Sequence, residues 1–289
     1  MKKKEFPGDW GMRTYVMGIL NLTPDSFSGD GLMGEADPLS AALAQARQFV
    51  ADGVDILDVG GESTRPGAQL VTAEEELERV IPVVQALTAE SDLPVSVDTY
   101  KATVAEAALA AGADWINDVW GLRADPLLAA VVARRGCPVI LMHNRLKPAT
   151  AELEQRLGGR YVGVKYDNLL EDIKSELLES VAIALQAGIR KDRIILDPGI
   201  GFGKTVEQNL ELLNHLDVLR TLGFPLLLGP SRKSFIGYTL NLPPAERVEG
   251  TAAAVAVGIV RGADIIRVHD VQTMVRVAQM TDAIVRPYR

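Results

Sequence analysis

With 289 residues, 47% of them apolar and 24% charged, the chain is long enough for one large core, and length alone does not separate an α/β barrel from two domains. A net charge of -8 and a pI near 5.1 argue against a general nucleic-acid or anionic-membrane surface, so an anionic ligand must be met by individually placed cations. No run approaches the roughly 18 apolar residues of a membrane span. The opening MKKKEFPGDW has no apolar stretch behind its basic residues, and the lone Cys137, just ahead of Pro138 in an apolar run, is expected as a buried reduced thiol, which fits a cytoplasmic protein.

Eight short apolar runs then follow in order: YVMGIL, VDILDVG, VSVD, WINDV, VILMH, RIILD, PLLLG and DIIRVHD. Most are continuous rather than alternating, as expected of parallel strands covered by helices. Segments such as DPLSAALAQARQFVADG, TAEEELERVIPVVQALTAE and KATVAEAALAAGA lie between them with helical periodicity, several ending at Gly. Eight βα units predict a single (β/α)8 barrel over residues 1–289, since no linker or change of composition divides the chain. The main irregularity is residues 144–168, a long connection after the fifth strand.

Such barrels build their sites at the C-terminal ends of the strands. The endings here offer Asn21, Asp58 with GGESTRPG, Asp98, Asn117 with Asp118, His143 with Asn144, Asp197 with PGIGFGK, then GPSRKS, and Arg267 with His269. Asp and Asn at such places also serve as helix caps and turn formers. Capping does not call for Arg65, Lys233, Arg267 and His269, which together suit an anion. Closure makes Asn21, Arg267 and His269 neighbours, a set suited to a phosphate and its Mg2+, unless Asn21 merely caps its turn. Asp98, Asn117 and Asp197 either read the edge of a flat heterocycle or form an internal network, and their charges call for a ligand or cation among them. His215 falls on an amphipathic helix away from the strand ends, and GIGFGK lacks the spacing of a nucleotide loop.

These residues resemble the dihydropteroate synthases of folate biosynthesis, within the pterin-binding barrel superfamily. The likeness runs from MGILNLTPDSFSGDG through DVGGESTRPGA, VSVDT, WINDV, LDPGIGFGK and GPSRKSFIG to RVHDV, nearly the whole chain. It implies the condensation of 6-hydroxymethyl-7,8-dihydropterin diphosphate with 4-aminobenzoate, assisted by Mg2+, in a homodimer. By the same resemblance Asp98, Asn117, Met142, Asp197, Lys233 and Arg267 would bind the pterin, and Asn21, Thr64, Arg267 and His269 the diphosphate, with Asn21 toward the metal. Phe27, Thr64, Arg65, Pro66, Phe202, Ser231 and Lys233 would line the aminobenzoate site; Asp98, Lys233, Arg267 and Asn21 would carry the catalysis.

A methyltetrahydrofolate-dependent methyltransferase would share the pterin cluster but needs neither STRPG nor RVH, and a non-catalytic pterin-binding paralogue would retain these residues for binding alone. After the fifth strand the chain departs from the family's usual MHM and Gly-Pro turn, reading LMHNRLKPATAELEQRLGGRY, which raises the question of whether Arg145 or Lys147 reaches the rim. The Gly, Ser and Pro content of NLTPDSFSGDG suits a lid over the substrates, with Phe27 as its large apolar contact.

Overall fold

The computed structural model describes residues 7–23, 37–63, 70–145, 151–154, 156–162 and 165–286. Phe27, Thr64, Arg65, Pro66 and Lys147, together with the proposed lid, lie outside the described residues. Strands and helices alternate as β1 (Tyr15–Asn21), α1 (Pro38–Ala51), β2 (Ile56–Gly60), α2 (Ala73–Glu90), β3 (Val95–Asp98), α3 (Ala102–Ala111), β4 (Trp115–Asp118), α4 (Leu128–Arg135) and β5 (Val139–Met142). They continue as β6 (Ala151–Glu154), β7 (Gly158–Tyr161), α5 (Leu169–Gln186), β8 (Ile194–Asp197), α6 (Val206–Asn214), β9 (Leu227–Leu228), α7 (Ser234–Leu240), α8 (Val248–Val260), β10 (Ile265–Val268) and α9 (Val271–Val285).

Eight strands pair in parallel in the order β8-β5-β4-β3-β2-β1-β10-β9. A parallel bridge between Leu196 and Leu226 links the two ends, so the sheet is a nearly closed barrel. All eight expected strands are present. The long connection is the departure: β6 and β7 form an antiparallel hairpin with Ala151 opposite Tyr161 and Glu154 opposite Gly158. Its Glu, Leu and Arg content has no strand alternation, so nothing local announced a hairpin.

Side-chain parity explains where the site falls. Met17, Ile56, Trp115, Ile140, Ile195, Leu227 and Ile265 form one inner apolar cluster, while the alternate residues pack outward with the helices in a second, larger core. Two residues further along these strands, the same inward direction is taken by Asp58, Asn117, Met142, Asp197 and Arg267. The barrel interior therefore changes from hydrocarbon to polar and charged groups on β2, β4, β8 and β10, two residues further along.

The helices are set by local signals as well as by their apolar faces. Thr72 and Glu75 close a capping box at the start of α2, as Thr205 and Gln208 do for α6. Gly112 and Gly136 end α3 and α4 with left-handed backbone. Gly18 of β1 faces the helical shell so closely that an added Cβ would lie 2.7 Å from the Phe49 ring and 3.1 Å from Val271. Gly18→Ala should therefore overpack this layer and lower stability by about 1–3 kcal/mol. Denaturant titration checks it; an unchanged midpoint would show that Phe49 moves aside at little cost.

Candidate active site

The centre of the site is one guanidinium between two acids. Arg267, ending β10, donates from Nε to Asp58 Oδ2 at 2.6 Å and from Nη2 to Asp98 Oδ2 at 2.8 Å. Asp58 is fully buried, and its Oδ2 also accepts from Asn117 Nδ2 at 3.3 Å. The cation that the acid cluster required is thus Arg267. Lys233 instead donates to the Ile200 carbonyl at 2.9 Å.

Burial raises the Asp98 carboxyl to about 7, against the pull of Arg267 and with Asp58 adding to the rise. Burial raises Asp197 as well, although its carboxylate accepts from Gly199 N at 2.7 Å. Asp197 and Met142 are register partners at the ends of β8 and β5, as Asp98 and Asn117 are at the ends of β3 and β4. Asn117, Met142 and Asp197 are buried at the floor, while Asp98 and Arg267 reach the cavity wall.

The phosphate-type residues gather where β1 and β10 meet. His269 Nδ1 lies 3.0 Å from Ser231 Oγ, and Asn21 Nδ2 lies 3.5 Å from His269 Nε2. The His269 backbone N–H also donates to Ser231 Oγ, at 3.2 Å. With the ring proton on Nδ1, Ser231 accepts twice and its own O–H is left to donate. Ser231, expected at the aminobenzoate site, is thereby tied to His269.

Lys233 and Phe202 form the opposite wall. The Lys233 ammonium sits 3.8 Å from the centroid of the Phe202 ring, within cation–π range. Phe202 is held from behind by Lys204, a fully buried amine that donates to the carbonyls of Gly199 at 2.9 Å and Phe202 at 3.0 Å and lies 3.0 Å from His143 Nδ1. Burial lowers Lys204 to about 7 and His143 to about 4. His143 Nε2 is 3.0 Å from Glu176, whose carboxyl burial would raise but which His143 and Arg145 hold near 2. Gly199 has φ +68, and an added Cβ would fall 1.9 Å from the His143 carbonyl, so the turn needs glycine.

In the sequence Asp58 and His143 stand out as strand ends without an evident part. Glu62 and Lys204 are carried within the GGESTRPG and PGIGFGK runs without a role of their own, and Glu176 has no signal. Glu62 lines the cavity and is bound by Lys101 at 2.6 Å, which also takes Glu76 at 2.5 Å. Arg145 turns away from the rim: it pairs with Glu176 at 2.6 Å and Asp172 at 3.0 Å and stacks on Tyr166. His215 is at the C-terminal end of α6, away from the cavity, as expected.

A barrel with an acid and amide floor, a cationic wall and an anion corner at its strand ends defines an enzyme that binds a polar heterocycle beside an anionic group. Residues 17–269 match the family model described as pterin binding enzyme, and the chain belongs to that family. It is 51% identical to the dihydropteroate synthase of Bacillus subtilis, over 94% of this chain and 89% of the relative. The crystal structure of the dihydropteroate synthase from Clostridium difficile in the presence of pteroic acid superposes with a TM-score of 0.87 at 48% identity, covering 97% of this chain and all of that one. The Yersinia pestis dihydropteroate synthase with a sulfonamide drug gives 0.86 at 42% identity, covering 94% of each chain. Within the pterin-binding enzymes the chain's place is among the dihydropteroate synthases, which are transferases.

The raised Asp98 carboxyl yields a sign that can be measured. With a value near 7 it is protonated below that pH, and it must ionise for both oxygens to accept hydrogen bonds from a pterin edge. Pterin binding at pH 6 should therefore release a proton, and affinity should rise as pH climbs toward 7, by up to about tenfold per unit. Calorimetry in two buffers of different ionisation heat measures the release. Asp98→Asn should bind more weakly and without this dependence, and equal heats in both buffers for the unaltered protein would exclude the linkage.

Proposed function

We propose that this site joins 6-hydroxymethyl-7,8-dihydropterin diphosphate to 4-aminobenzoate, forming 7,8-dihydropteroate and pyrophosphate, with each end of the cavity serving one part of the reaction. The observation that carries this reading is the Arg267 guanidinium bridging Asp58 and Asp98 within reach of an anion corner made by Asn21, Ser231 and His269. Asp98, Asn117, Met142 and Asp197 take the pterin. Lys233 and Phe202 lie on the side taken by the aminobenzoate, with Thr64, Arg65, Pro66 and Phe27 assigned there from sequence alone.

Chemistry follows from the charges. The bond between the pterin methylene and the diphosphate oxygen breaks, leaving positive charge on the pterin side and added negative charge on the departing pyrophosphate. Asp58 and Asp98 favour the first, while Arg267, His269 and the Ser231 hydroxyl favour the second. The arylamine nitrogen then bonds to the methylene and loses its proton, so no protein nucleophile is required. That proton passes to water or to the departing pyrophosphate, which completes the balance.

Mg2+ fits the donor set. Among the described residues no group of three or more His, Cys, Asp or Glu could hold a metal, and the single amide oxygen of Asn21, with Nδ2 turned to His269, matches an ion that takes few protein ligands and relies on substrate phosphate. When bound, it would neutralise charge on the diphosphate. A homodimer is supported by exposed Val257 and Val260 on α8 and Met280 and Ile284 on α9, an apolar face on the last helices. A monomer in sedimentation at micromolar concentration would refute it. A cytoplasmic site fits the buried thiol Cys137. No helix among the described residues is long and apolar enough to cross a membrane; recovery of the native protein outside the cytosolic fraction would overturn the location.

The purified protein with Mg2+ should convert the two substrates to dihydropteroate and pyrophosphate, and lose that activity reversibly on chelation. Pterin binding without turnover would identify a non-catalytic paralogue instead. Sulfonamides should compete with 4-aminobenzoate, and uncompetitive inhibition would contradict the site. Lys233→Ala should lower kcat/KM about ten- to a hundredfold, the worth of one charge-assisted contact. An unchanged value would remove Lys233 from the site.

A further inference from the structure

Two residues beside the anion corner stand where local rules would not put them. Pro230 to Lys233 form a tight turn, closed by the Lys233 N–H on the Pro230 carbonyl at 3.2 Å. Its third residue is Arg232 at φ +56, a left-handed backbone that turns normally reserve for Gly or Asn. Asp270 is the N-cap of α9, yet its carboxylate makes no capping bond to that helix. The two meet each other instead: Arg232 Nε donates to Asp270 Oδ2 at 3.0 Å and Nη2 to Oδ1 at 2.6 Å. A strained residue persists only where its surroundings hold it, and such residues cluster at functional sites.

Arg232 is held through its backbone as well as its side chain. Its N–H donates to Thr251 Oγ1 at 3.1 Å, and its carbonyl accepts from the buried Arg247 at 2.8 Å. The residue before it, Ser231, accepts at Oγ from the His269 N–H at 3.2 Å. Consecutive residues of one turn, Ser231 and Arg232, are thus bonded to consecutive residues after β10, His269 and Asp270, as two rungs of a clamp. Lys233 follows in the same turn, but its ammonium has a separate anchor on the Ile200 carbonyl at 2.9 Å. The second rung therefore bears on Ser231 and His269 more directly than on the Lys233 head group.

We propose that Arg232 is a positioning residue: its ion pair with Asp270 locks the turn against the end of β10 and so keeps Ser231 and His269 together at the diphosphate corner. This rests on the reading of that corner given above. Asp270→Asn is the first test, because it keeps the turn's backbone, a side chain able to cap α9 and the Arg232 charge. With the full chain and Mg2+, calorimetric affinity for pyrophosphate and kcat should each fall about tenfold. Affinity for 6-hydroxymethylpterin, which lacks the diphosphate, should stay unchanged. Arg232→Gly, whose backbone accepts φ +56 without strain, should show the same losses, and the double variant no more than either single one. A thermal melt verifies that each variant is folded. Unchanged or tighter pyrophosphate binding in Asp270→Asn would make Arg232 a direct ligand of the anion and overturn the positioning role. Equal losses of pterin and pyrophosphate affinity, or additive losses in the double variant, would overturn it too. Inactivity of the unaltered protein would overturn the underlying reaction instead, while its pyrophosphate affinity would still test the clamp.

Discussion

The site depends on one buried charge balance. Asp58 and Asp98 lie 209 and 169 residues from Arg267 in sequence, and only closure of the barrel brings β10 beside β1 and within reach of both. Removing one member of such a group strands an uncompensated charge, at a cost of about 3–5 kcal/mol. The balance also leaves the carboxyls poised. Asp98, raised to about 7, can exchange its proton and its share of Arg267 for a ligand's donors without a change of fold.

Behind the opposite wall stands a second balance of another kind. Three donors of the Lys204 ammonium meet the Gly199 and Phe202 carbonyls and His143 Nδ1, so a buried amine is satisfied on every side. His143 passes the chain of contacts to Glu176 on α5, which Arg145 holds from outside. The consequence is stiffness where the site needs it. The turn after β8 carries Phe202 and offers the Ile200 carbonyl to Lys233, and Lys204 fixes that turn from below. A chain that spends a lysine this way gains orientation of the wall rather than a reactive group.

What was legible in the sequence followed from local rules. The eight strands show as apolar runs, and residues at their C-terminal ends were open to chemical reading because a barrel places its site there. Asp98, Asn117, Asp197 and Arg267 were found in that way, and the structure brings them together at the strand ends, Asn117 and Asp197 beneath and Asp98 and Arg267 at the cavity wall. Lys204 was missed because it follows GFG in what reads as a loop, and its partner His143 lies 61 residues away. Asp58 was seen but had no role, because its task as Arg267's partner exists only in the closed barrel. The hairpin had no signal: AELEQRLGGRY lacks alternation, and the strands form through their pairing and the anchors on Arg247 and Tyr238.

These parts divide the site by how firmly the fold constrains them. Floor residues sit at inward strand positions, where a slip of one residue would exchange every polar group for an outward apolar one. Such positions change only if the barrel does. The hairpin, by contrast, is inserted between β5 and α5 and is tied to the rest by carbonyl contacts at its tip, so its side chains can vary without disturbing strand register. The stretch of cavity lining that Leu157, Gly158 and Gly159 supply is therefore the part this architecture can alter most cheaply. The chain's own departure from its family's usual sequence falls in that element.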